Sequence, residues 1–133
     1  MATREKITVP DGPPASGSYS SAIRVGDLVF LSGQGPFDGT GALVGDSFEA
    51  QARQVFSNLE AVAQAAGSSL KQAVRVNVYI SDLKYFDEMD RVYRTFLGDP
   101  LPARSTTQSN LRSHTSVPPF DIEADAIVLV GGN

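Results

Sequence analysis

The chain of 133 residues contains no cysteine, a single histidine, no surplus of basic charge and no long apolar run. Each gap removes a class of function. Without cysteine there is no disulfide framework, no thiolate metal site and no sulfur nucleophile. One histidine, His114, leaves too few ligands for a transition-metal centre and no partner for a nucleophile–base–orienter set. Lys and Arg number 11 against 15 Asp and Glu, a net charge of −4, and phosphate backbones demand the opposite field. Nucleic acid is therefore not the expected partner. No apolar stretch approaches the length that spans a bilayer, and the start, Met1 to Lys6, is polar, so the expectation is a soluble, cytoplasmic protein with no membrane partner.

What is present suits one globular domain over residues 1–133. The apolar fraction of 41% and charged fraction of 20% are ordinary, and the length buries a core without staples. Residues 10–18 read as loop. Short apolar runs at Tyr19 to Arg24 and Leu28 to Ser32, split by Val25-Gly26-Asp27, predict a hairpin. Apolar residues from Phe48 to Ala66 recur at three- and four-residue steps, with Ser47 placed to cap the first turn and Gly67 to end the last. From Ala73 to Ile80, Val74, Val76, Val78 and Ile80 alternate with Arg75, Asn77 and Tyr79, the period of a half-buried strand. A second helix is expected over 84–97, capped by Asp82, followed by strands at Ala103 to Gln108 and Phe120 to Val130. The order β-β-α-β-α-β-β predicts an α+β fold, two helices on one face of a mixed sheet.

That layout leaves a face bare. Leu28 and Phe30 point opposite to Val29 and Leu31, as Ile127 and Leu129 do to Ala126 and Val128, so the strands are apolar on both sides. Two helices cover one side, and a closed homo-oligomer is expected to bury the other.

Few residues are placed to carry chemistry. The glycines after Leu31 do not fit a dinucleotide fingerprint or a P-loop, since Asp38 stands where a third glycine belongs and no Gly-Lys-Ser/Thr follows. That stretch reads as a turn; the Ser32 hydroxyl either belongs to it or lines a pocket at the strand end. Asp87, Glu88 and Asp90 read as a solvated helix face, and His114 as a solvated loop residue. Glu123 lies mid-strand on the face shared with Asp125, Ile127 and Leu129. If that face is buried, the carboxylate needs either an ion-pair partner, such as Arg75 or Arg104, or a task with water and protons. Arg104 opens a strand after Pro102. Its planar fork suits a carboxylate, though an arginine there serves equally as a surface or ion-paired residue.

Five stretches in order carry a resemblance: Gly17-Ser18-Tyr19-Ser20, Val25-Gly26-Asp27-Leu28-Val29-Phe30-Leu31-Ser32-Gly33-Gln34, Gln51-Ala52-Arg53-Gln54 with Asn58-Leu59, Pro102-Ala103-Arg104-Ser105, and Ile122-Glu123-Ala124. Together they resemble the RidA family, also called YjgF or L-PSP. The resemblance implies a chorismate-mutase-like fold, a homotrimer with its sheets packed at the centre, and sites in the clefts between subunits. It implies cofactor-free hydrolysis of small 2-imino and enamine acids, such as 2-aminoacrylate, to 2-keto acids and ammonia. Residue by residue, Arg104 matches the arginine that binds the substrate carboxylate and Glu123 the glutamate that orients water. Tyr19 and Ser32 match pocket residues, and the backbone at Thr106 a segment touching substrate. Asp90, which the match adds to the substrate-binding residues, stands where members often have Asn, Thr106 where many have Cys, and Gly35 where an apolar residue is usual. With a longer loop from Asn110 to Pro119, these departures point to an altered pocket. A non-catalytic metabolite-binding or regulatory protein, or a member specialised to a biosynthetic pathway, is the competing reading. Ribonuclease activity, sometimes attached to the family, fits poorly with the acidic charge and the missing histidine pair.

Overall fold

The structure, a computed structural model, describes residues 2–10, 15, 17–112 and 118–131. His114 and half of the loop expected to be long lie outside them. Six strands, β1 (Glu5–Ile7), β2 (Ala22–Val25), β3 (Leu28–Gln34), β4 (Ala73–Ile80), β5 (Ala103–Gln108) and β6 (Ile122–Leu129), form one sheet in the order β1-β2-β3-β6-β4-β5. Helices α1 (Phe48–Ala65) and α2 (Phe86–Phe96) supply the second layer. Only β4 and β5 run parallel; α2 is the crossover that a parallel pair requires.

Local chemistry explains most boundaries. The β2–β3 hairpin turns on Gly26, whose φ of +58° suits glycine, while Asp27 keeps a negative φ. Ser47 Oγ accepts from the Ala50 N–H at 3.0 Å and opens α1. Gly67 closes it at φ +80°, with Gly67 N–H donating to Gln64 O and Ser68 N–H to Ala63 O, the paired bonds of a Schellman end. The expected strands at 73–80 and 103–108 stand as predicted. Asp82 caps a single 3₁₀ turn, Leu83–Tyr85, and α2 starts only at Phe86. β1 was not expected: three residues, two of them charged, are too short to display alternation, and they form an exposed edge. The first strand is shorter than expected, because Gly17 to Tyr19 bend, with Tyr19 N–H donating to Gly17 O.

Ala22, Val29, Leu31, Val76, Val78, Ile80, Ile122, Ala124, Ala126 and Val128 face the helices and are buried with Val55, Phe56, Leu59, Met89 and Tyr93. The opposite side of the sheet has no helix on it. Phe30 there is 44% exposed, beside half-buried Leu28, Ile127 and Leu129, so the expected bare apolar face is present.

Candidate functional site

Arg104 and Glu123 reach opposite sides of the sheet. Arg104 on β5 pairs in register with Val76, and Thr106 with Val78, so both share the helix-covered side at its outer edge. Glu123 on β6 pairs with Tyr79 and lies on the open side. Two half-sites result.

The first half-site gathers around the guanidinium. Arg104 Nη1 donates to Asp90 Oδ1 at 2.8 Å, and the guanidinium carbon lies 4.6 Å from the Tyr93 ring centre and 5.4 Å from that of Phe86. Phe86, Asp90 and Tyr93 are four and three residues apart, one face of α2. Asp90 is thus not the solvated residue expected of it. Its other oxygen accepts from Arg94 Nε at 3.1 Å. The Arg104 hydrogen bond, more than Arg94, holds the Asp90 carboxyl below the usual carboxylate range despite some desolvation. The Tyr93 hydroxyl is buried and meets no hydrogen-bond partner in good geometry among the described residues; burial raises its pKa, and the nearby Arg104 opposes the shift. Thr106 lies half-buried one turn of the pleat further along β5.

The second half-site sits where the register between β3 and β6 slips, between Leu31 and Gln34. Ser32 Oγ donates to Ser20 O at 2.5 Å, tying the bulge to the segment after Tyr19. Gly33 leaves the Glu123 carboxyl its room, since a Cβ on it would meet Oε2 at 2.6 Å and push that flexible end aside. Glu123 forms neither ion pair considered for it. Arg104 is held by Asp90, and Arg75 Nη2 donates to Ser105 Oγ at 2.6 Å. Among the described residues Glu123 has no hydrogen-bond partner. Burial, and then the nearby charge of Asp125, push its carboxyl pKa up. Asp125 itself is satisfied, accepting from Asn77 Nδ2 at 2.8 Å and Tyr79 Oη at 2.9 Å. Tyr19 is exposed, near the Gly17 bend.

The structure therefore joins Arg104 with Asp90 and, on the other side, Glu123 with Gly33 beside Ser32. Phe86, Tyr93 and Gly33 were missed as site residues. The i, i+4 and i, i+3 spacing about Asp90 was the available signal for the rings; nothing in the sequence pointed to Gly33 beneath Glu123. No group of three or more His, Asp or Glu able to hold a metal occurs among the described residues, and no helix there is long and apolar enough to cross a membrane.

A family model described as Endoribonuclease L-PSP matches residues 10–130. The chain belongs to the RidA family, also named L-PSP. Among its relatives, the RutC family protein y4sK of Sinorhizobium fredii is 45% identical over 102 residues, 76% of this chain and 81% of that one. The 2-iminobutanoate/2-iminopropanoate deaminase of Dermatophagoides farinae is 36% identical over 107 residues, covering 80% and 84%. The crystal structure of E. coli TdcF with bound serine superposes with a TM-score of 0.81 at 32% identity, covering 94% of this chain and 98% of that one. The two helices on a mixed six-stranded sheet are thus the RidA fold.

Proposed function

We propose that this RidA-family chain is a cofactor-independent deaminase of small 2-imino and enamine acids, working as a homotrimer with its open sheet faces turned inward. The observation that carries it is Glu123: a half-buried carboxyl with no hydrogen-bond partner among the described residues and a raised pKa. A purely structural carboxylate in such a place would be paired, because uncompensated charge is costly. A carboxyl that takes and returns protons gains from the shift toward neutral pH.

In this reading the β5 edge of one subunit lies over the open face of the next, so that Arg104 and Glu123 line one cleft. The bare apolar side, with Phe30 at its centre, supports such packing. Arg104, its rings behind it, anchors the substrate carboxylate, with Tyr19, Ser32 and the Thr106 backbone around the rest. Glu123 accepts a proton from water as its oxygen bonds to the imine carbon. That proton passes to nitrogen; the hydroxyl then gives its own proton to Glu123 as the C–O double bond forms and the C–N bond breaks, and the 2-keto acid and ammonia leave. A protonated imine is already electrophilic, so placing it beside an oriented water supplies most of the acceleration. The relative named as an imine deaminase and the neighbour holding serine, an amino acid with a carboxylate, support the substrate class.

The test is imine hydrolysis in competition with semicarbazide, the imine generated by an amino-acid oxidase. Arg104→Ala should lower kcat/KM by at least about a hundredfold. Glu123→Gln should lower kcat by about 10² to 10⁴, the range of a lost acid–base group. Full activity in Arg104→Ala would sink the proposal.

A further inference from the structure

Arg104 is already holding a carboxylate, and that carboxylate belongs to the protein. Asp90 Oδ1 takes one Nη1 proton at 2.8 Å, while the faces of Tyr93 and Phe86 keep the guanidinium from swinging away. The side chains of Arg104 and Asp90 are only 21% and 26% exposed, so water screens the pair weakly. The other arginine on Asp90, Arg94, is 67% exposed and largely solvated, and does little to offset the Asp90 charge at Arg104. The low pKa of Asp90 keeps it ionised at neutral pH.

A free carboxylate arriving at this fork meets a cation already neutralised and a like charge in contact with it. A neutral carbonyl needs only the N–H donors that Asp90 leaves open, and meets far less repulsion. We infer that Asp90 is a specificity-determining residue, an internal rival that weakens Arg104 toward free carboxylates and so narrows the advantage of an imino acid over its neutral amide. The inference rests on Arg104 being the anchor proposed above, and names what sets the strength of that anchor.

Calorimetric binding of 2-oxobutanoate and of its neutral counterpart 2-oxobutanamide tests it, with the wild type, Asp90→Asn, Asp90→Ser and Arg104→Ala. Asp90→Asn keeps shape and hydrogen bonding while removing charge. It should tighten 2-oxobutanoate by at least about tenfold and leave the amide within about threefold. Asp90→Ser should move in the same direction, which guards against an effect peculiar to the amide side chain. No gain for 2-oxobutanoate, a loss, or an equal gain for both ligands overturns the inference. If Arg104→Ala loses both ligands while Asp90→Asn changes nothing, the rivalry alone is wrong. If Arg104→Ala binds as the wild type does, or no variant binds either ligand, the anchor is wrong and the rivalry falls with it.

Discussion

The two faces of the one sheet are built from the same strands and have opposite characters. On β6, Ile122, Ala124, Ala126 and Val128 are buried under the helices, while Glu123, Asp125, Ile127 and Leu129 alternate with them on a side with no cover. The covered face is nearly all aliphatic, and Gln51 and Asn58 beside it have hydrogen-bond partners. Gln51 Oε1 accepts from the Asp121 N–H at 2.8 Å, and Asn58 Nδ2 donates to Phe37 O at 2.8 Å. The open face mixes an apolar patch with a polar cluster in which Glu123 is left unsatisfied. One face spends its residues on holding the chain together. The other retains groups that weaken the isolated chain, in keeping with the assembly and chemistry proposed for it.

Two isoleucines five residues apart on β6 give the largest expected contrast. Ile122→Ala, fully buried between Ile80 and the helices, should cost about 2–5 kcal/mol in denaturant unfolding. Ile127→Ala should cost the fold of the chain less than about 1 kcal/mol, since its side chain is only half-buried. Its effect should appear instead in sedimentation, as dissociation of the assembly at higher protein concentration. Equal unfolding costs would erase the distinction between the faces.

That distinction is partly legible in the sequence. The alternation in β4 and β6 assigned each residue to a side, and Ser47, Gly67 and Pro102 marked ends by their own stereochemistry. Short range limits what such patterns reveal. β1 carries too few residues for a period, and α2 begins later than expected because Asp82 caps a 3₁₀ turn first. The site was less legible than the fold. Arg104, Asp90, Ser32 and Glu123 were all picked out, yet their pairing depends on strand order and register. The parallel match of Arg104 with Val76 puts the guanidinium on α2, away from Glu123. The Asp90 ion pair follows from that register and from nothing local.

A smaller contrast compares polar groups. Asn58 bridges α1 to the loop after β3, donating to both Gly35 O and Phe37 O while accepting from Gln54 Nε2. Asn58→Ala should cost about 1–3 kcal/mol by leaving partly buried carbonyls unpaired. Thermal and denaturant unfolding should agree on the loss at any pH where nothing nearby titrates. If Asn58→Ala is neutral, water satisfies the loop and the covered side is less dry than its packing implies.

Glu123→Gln should behave in the reverse sense, with the smallest change in stability. Burial raises the Glu123 pKa in the folded chain above its unfolded value. Between those two values the native state holds a proton that the unfolded state lacks. Stability therefore falls as pH rises through that window, and the deficit persists above it. Glutamine has no proton to lose. Glu123→Gln should unfold at higher denaturant than the wild type at pH 7, and the advantage should vanish once the pH falls below the ordinary carboxylate range. Denaturant midpoints measured from pH 3 to 8, at one protein concentration, read the difference directly. If the variant is instead weaker at pH 7, the carboxylate is needed as an anion in the working protein. Within one chain no cation meets Glu123 among the described residues, so a second copy would have to supply it, and the ion-pair reading of Glu123 would return through the assembly.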